Sequence, residues 1–190
     1  LTAVGKVSAS DVVTINGVGT YADKNVTASA NKAYTVTNLS LSGADAANYV
    51  LTNGVSSAAI STQNGSNGQI TPRALTIDFT GVDRVYDGGL LATVTTATTV
   101  ANGFVAGDTF TINRTAAFAD KNVAYDVSSN VTSKAVSVTG VNLSGTDAAN
   151  YSVATTGSTS AKITPRALTI DYTGVNKVYD GGTVASVTTA

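Results

Sequence analysis

The chain states the same twenty residues twice. "ITPRALTIDFTGVDRVYDGG" begins at Ile70 and "ITPRALTIDYTGVNKVYDGG" at Ile163, with three changes between them. A catalytic motif needs one copy, whereas the opening of a building block recurs at a fixed spacing with the rest of the block behind it. The rest does recur. "YADKNV" at Tyr21 returns as "FADKNV" at Phe118, and "LSGADAANY" at Leu41 as "LSGTDAANY" at Leu143, in the same order. The offsets are 93, 97 and 102 residues, a drift expected where loops differ in length. The Asn-, Gly- and Ser-rich stretch "STQNGSNGQ" before Ile70 reads as one such loop insertion.

One complete repeat therefore spans 70–162, the size of a domain rather than of a solenoid coil of roughly 20–45 residues. Residues 1–69 align with the later part of that unit and form an incomplete repeat; 163–190 align with its opening strands. Two arrangements fit this frame: a window within a long tandem array, or a subunit whose tail completes the head of its neighbour. A first residue of Leu and no visible signal peptide point to a piece of something longer.

Composition narrows the class. The formal net charge of -1 gives no footprint for nucleic acid, and no apolar run approaches the roughly 18 residues of a membrane span. With no His and no Cys, zinc, haem and copper lack their usual ligands, and the commonest general base is missing. Every acid is Asp, a residue of turns and caps rather than of helix interiors. Thr, Val, Ala, Ser, Gly and Asn dominate, as in strands joined by tight turns. The expectation is an all-β chain without catalysis.

Alternation supports it. Leu75, Ile77 and Phe79 share one face of "ALTIDF", and Leu168, Ile170 and Tyr172 share it in the second copy. Phe110 with Ile112, Val13 with Ile15, Val123 with Tyr125 and Val127, and Val136 with Val138 mark further strands; "YSVATT" and "TSAKI" finish the unit. That gives about seven to nine short strands per repeat, which two sheets packed face to face would bury. "YDGG" reads as a tight turn, with Tyr86 and Tyr179 at its edge. In "GTDAANY" the Asp caps a single helical turn and the Tyr drops into the core. Pro72 and Pro165 mark a short, stiff connection between repeats.

"ITPRALTI…VYDGG" followed by "GD", "FADKNV" and "LSGTDAANY" resembles the YDG-type repeats of large bacterial filamentous-haemagglutinin-like surface adhesins. The resemblance covers the whole chain in two phase-shifted copies. It implies tandem immunoglobulin-like β-sandwich units, with β-grasp-like units as the alternative, strung into an elongated rod or fibre at the cell surface or in a biofilm matrix. Neighbouring copies of the same repeat, in one chain or the next subunit, are the implied partners. The resemblance supplies no catalytic residues.

Oxygen-rich loops invite a calcium reading at Asp87, Asp108, Asp120, Asp147 and Asp180. Against it, no three carboxylates crowd one loop, and Asp83 becomes Asn176 in the second copy. No cofactor is therefore expected. The residues expected to carry function are structural: Leu75, Ile77, Phe79 and Tyr86, their partners Leu168, Ile170, Tyr172 and Tyr179, and the two prolines. The competing class is a binding module for glycan, host protein or another cell, which a surface Tyr or Asp patch recurring in both copies would favour.

Overall fold

The computed structural model describes residues 3–53 and 59–189. The chain is all-β, with no α-helix among the described residues. The strands are β1 (Thr14–Tyr21), β2 (Lys32–Ser42), β3 (Gln63–Gly68), β4 (Arg73–Ala74), β5 (Asp78–Val82), β6 (Arg84–Val85) and β7 (Thr93–Ala97). They continue with β8 (Thr111–Phe118), β9 (Lys134–Ser144), β10 (Tyr151–Ser152), β11 (Gly157–Ala161), β12 (Ile163–Thr164), β13 (Tyr172–Val175) and β14 (Ser186–Thr189). Two compact units divide them. The first holds Leu1–Ile77, Thr98–Asn113 and Asn142–Ala154; the second holds Asp78–Ala97, Arg114–Val141 and Thr155–Ala190.

In the first unit β1, β2 and β3 form an antiparallel sheet in that order, with a register shift between Asn16 and Val18. β4 lies parallel to β10. The Leu75 N–H then donates to the Ser152 carbonyl and Thr76 N–H to Asn102, so the opening segment is held on both sides. Phe104, Phe110 and Tyr151 stack edge to face, with ring centroids 5.8 and 5.2 Å apart.

The second unit holds most of the core. Val136, Val138, Val141 and Ile163 are the largest fully buried side chains. Burial of each stabilises by about 1.5–3 kcal/mol. Along β9 the buried face alternates through Val136 and Val138, then resumes at Val141 after one extra residue. Gly140 sits there at φ 63, and the corresponding residue of β2, Asn38, sits at φ 54. Gly and Asn are the residues that tolerate this left-handed backbone, so both copies carry the same irregularity by compatible means. β5 pairs antiparallel with β7 and crosses β11 closely: a Cβ on Gly81 would run into the Ser160 backbone, and one on Gly157 into the Phe79 ring. β12 lies parallel to β6, burying Ile163 completely.

Eight strands fall within 70–162, but several local expectations change. "STQNGSNGQ" is not a loop insertion: it contains β3, which pairs with β2 as β11 pairs with β9. Its glycines hid the strand, because their missing side chains are replaced by rings from other strands. A Cβ on Gly65 would meet Tyr34, and one on Gly68 would meet Tyr21. The extra length of the first copy lies between Tyr49 and Asn64, in a stretch including 54–58, which are outside the described residues. "VAYDV" is not a strand: Tyr125 makes a single antiparallel bridge to Val131, and the chain turns between them. Asp126 Oδ1 accepts the N–H groups of Ser128 and Asn130, and Ser129 adopts φ 64. Such local acceptors compete with ladder pairing, and Tyr125 and Val127 stay exposed. "YSVATT" shortens to β10, and "TSAKI" divides between β11 and β12. Leu75 and Ile77 keep their alternation but lie between β4 and β5 rather than within one continuous strand.

Candidate functional site: a lysine across a carboxylate pair

The loop "ADKN" is built alike in both copies. Asp23 accepts the Asn25 N–H at 2.7 Å and pairs with Lys32 at 2.6 Å. Asp120 accepts the Asn122 N–H at 2.8 Å and pairs with Lys134. Lys32 is almost fully buried, which fixes the base of the loop. With both ends tied, the intervening lysine, Lys24 or Lys121, is presented outward.

The second element pairs the "GD" aspartate with "DAANY". Asp147 begins a 3-10 turn, Ala148–Asn150, but makes no cap bond to it. Its Oδ2 instead accepts the Thr109 N–H at 2.9 Å, drawing the Asp108 loop onto the turn. The Tyr151 hydroxyl donates to Asp108 Oδ2 at 2.7 Å and accepts the Val105 N–H at 3.0 Å. The first copy repeats the device. Asp45 accepts the Val12 N–H at 2.8 Å, and the Tyr49 hydroxyl donates to Asp11 and accepts from Val7.

Among the described residues these elements meet once. Lys24 Nζ lies 2.5 Å from Asp108 and 3.0 Å from Asp147, and Asn150 Oδ1 accepts the Val26 N–H at 2.9 Å. Both carboxylates are under a tenth exposed while the lysine remains mostly in solvent. Two carboxylates withdrawn from water beside each other repel, and a cation reaching both offsets that cost. Lys24 and Tyr151 hold the Asp108 carboxyl below its ordinary range. The Thr109 N–H, then Lys24, does the same for Asp147. Lys24 is raised by the pair, and the Tyr151 hydroxyl by burial and then Asp108. A cavity of about 440 Å³ beside the bridge is lined by Lys24, Val26, Ile70, Arg73, Asp108 and Tyr151 among others. The arrangement joins the loop of one sequence copy to the turn of the next.

The five candidate calcium aspartates each face a cation of the chain. Asp87 pairs with Arg84 at 2.7 Å, Asp180 with Lys177 at 2.9 Å, Asp120 with Lys134, and Asp108 and Asp147 with Lys24. Among the described residues no cluster of three or more potential metal ligands occurs. Leu75 is buried, and Ile77, Phe79 and Tyr86 are half-buried, whereas Leu168, Ile170, Tyr172 and Tyr179 are exposed. Pro72 directly precedes β4 and Pro165 directly follows β12, both exposed. From sequence Lys24 and Lys121 read as a polar strand edge, whereas both lie in loops outside any strand, and the hydroxyls of Tyr49 and Tyr151 went unmarked. The available signal was that Lys, Asp and Tyr recur in both copies, in separate motifs.

No helix of the described residues is long and apolar enough to cross a membrane. No curated protein and no solved structure matches the chain. The YDG domain model matches it twice, over residues 1–59 and 71–159. Most of the sequence, including both bridged motifs, falls within these matches, and the chain belongs to the YDG domain family.

Proposed function

We propose that this chain is a structural tandem-repeat segment of an extracellular bacterial adhesin stalk, or of a surface or matrix fibre, of the filamentous-haemagglutinin-like kind. Its work is mechanical: each unit adds reach, and no catalysis or cofactor is involved. One observation carries this reading. The same opening residues are packed in one copy and bare in the other: Leu75 is 4 % exposed and its counterpart Leu168 is 89 % exposed. A segment that folds its turn in advance and leaves its apolar face uncovered suits an element completed by more of the same repeat, along the chain or from the next subunit by strand addition.

A ligand-binding module gains less support. The candidate platform is the groove of about 320 Å³ lined by Gly17, Gly19, Tyr21, Tyr34 and Val36. Its tyrosines correspond to Phe118 and Val136, which are buried, so the patch does not recur in the second copy. The test is length. Chains carrying two, four and eight copies of this sequence in tandem, imaged by rotary-shadowing electron microscopy, should give thin rods whose contour grows linearly with copy number. Compact clusters of constant width would overturn the reading.

A further inference from the structure

The sequence encodes two such lysine loops and two such carboxylate pairs, and among the described residues one loop meets one pair. Lys121, Asn122 and Val123 repeat Lys24, Asn25 and Val26 on an identically tied loop, yet Lys121 is exposed and has no ion-pair partner among the described residues. Asp11, Asp45 and Asn48 repeat Asp108, Asp147 and Asn150, and no lysine bridges their side chains among the described residues. The surroundings are open in the same way. At the closed arrangement Arg73–Ala74 pairs with Tyr151–Ser152. The counterparts Arg166–Ala167 and Tyr49–Val50 are in no strand, and Val50 and Leu168 are exposed. A cavity of about 330 Å³ beside Asn122 and Val123, lined also by Tyr86, Pro165, Arg166 and Leu168, occupies the place corresponding to the one beside Lys24.

We propose that Lys121–Val123 together with Arg166–Leu168 is one half of a docking joint, and that its occupant is the Asp11–Asp45–Asn48–Tyr49 surface of a further YDG unit. The closed Lys24 bridge is its template. In the joint, Lys121 reaches the carboxylates of Asp11 and Asp45, the Val123 N–H donates to Asn48 Oδ1, and Arg166–Ala167 runs parallel to Tyr49–Val50. Leu168 is thereby covered, as Leu75 is by its own unit. The halves are of opposite charge and different shape, so the contact is heterologous: each copy offers one donor and one acceptor half. The proposal rests on the repeat-array reading above and names the surface through which one unit takes the next.

Two exposed positions allow a test that leaves the fold alone. Lys121→Glu spoils the donor half; Asn48→Arg spoils the acceptor half by setting a cation where the lysine must enter. In sedimentation and NMR titrations up to about 1 mM, the concentration a short tether supplies, the unaltered chain should self-associate. Each variant alone should associate at least about tenfold more weakly. An equimolar mixture of the two variants should recover a 1:1 complex, with amide shifts confined to Lys121–Val123, Arg166–Leu168, Asp11, Asp45 and Tyr49. No association of the unaltered chain at that concentration would overturn the joint while leaving the length test of the array reading standing. Association unaffected by either variant, or shifts at other residues, would overturn the joint and keep a polymer held by some other surface.

Discussion

The segments beginning at Ile70 and Ile163 are nearly the same sequence in two settings, and what they share separates local from borrowed structure. Both form the same hairpin in the same register: Phe79 faces Thr96, and Tyr172 faces Thr189. Both form the same turn. Asp87 accepts the Gly89 N–H at 2.9 Å while Arg84 reaches Asp87 and the Gly89 carbonyl; Asp180 accepts Gly182 at 2.9 Å while Lys177 does the same. Gly88 and Gly181 have φ 83 and 74. Two of the three substitutions respect this, since Lys replaces Arg in the turn, and Asn retains the oxygen with which Asp83 accepts the Lys162 N–H. The turn is thus specified by its own residues. Burial is not. In the first setting β11 lies against β5, whereas the whole of 163–190 after Pro165 is exposed among the described residues. Hairpin and turn come from the segment, and the core comes from the remainder of a unit.

Paired substitutions would break or sharpen that contrast, and the largest expected difference is at leucine. Leu75→Ala should cost about 2–5 kcal/mol, because it empties a packed site. Leu168→Ala should fall within about 0.5 kcal/mol, as surface changes do. Urea titrations of the two variants give the comparison. Next come the strand glycines. A Cβ at Gly81 collides with the Ser160 backbone, whereas the corresponding Gly174 has open space. Gly81→Ala should therefore destabilise by about 1–3 kcal/mol, and Gly174→Ala should be neutral or stabilise by up to about 1 kcal/mol. Thermal melts would separate them.

At the turns the account predicts equality instead. Gly88→Ala and Gly181→Ala each force a side chain into left-handed backbone at a local cost of about 1–2 kcal/mol. Amide shifts should report loss of the Gly89 and Gly182 hydrogen bonds in the respective variants. Unequal loss would mean that the turn borrows stability from its setting after all.

The smallest effect is the pH dependence of the lysine bridge. Asp108 and Asp147 have folded values below the ordinary 3.8. Their contribution is therefore complete above about pH 4 and is lost as pH falls through those depressed values. Lys24 is raised above 10.5, so its share is complete below that and is lost as pH rises further. Lys24, Asp108, Asp147 and Tyr151 are the ionisable groups facing one another there, with Arg73 close to Tyr151. Melting temperatures followed from pH 7 to pH 2 should drop below pH 4. They should drop less in Asp108→Asn/Asp147→Asn, relative to its own value at pH 7.

How far the sequence speaks follows the same division. Alternation at Val136 and Val138 and the Asp-Gly-Gly turn were legible because each depends on neighbours along the chain. The strand in "QNGSNG" was not, because its stability comes from Tyr34 and Tyr21 covering its glycines. Nor was the turn at Asp126, where a carboxylate taking two backbone N–H groups outcompetes an alternating apolar pattern. The lysine bridge joins residues 84 and 123 positions apart, so its members were visible as separate repeated motifs without their meeting being visible.

Hydrogen exchange of two equivalent amides, measured in dilute solution, tests most directly whether the core of each opening segment is borrowed. The Leu75 N–H donates to Ser152, and Leu168 occupies the same place in an uncovered copy. The Leu75 amide should exchange only through opening of the surrounding structure, and the Leu168 amide at close to the rate of an unstructured chain. Equal protection at both would contradict the account, because the opening segment would then hold its structure without the rest of a unit.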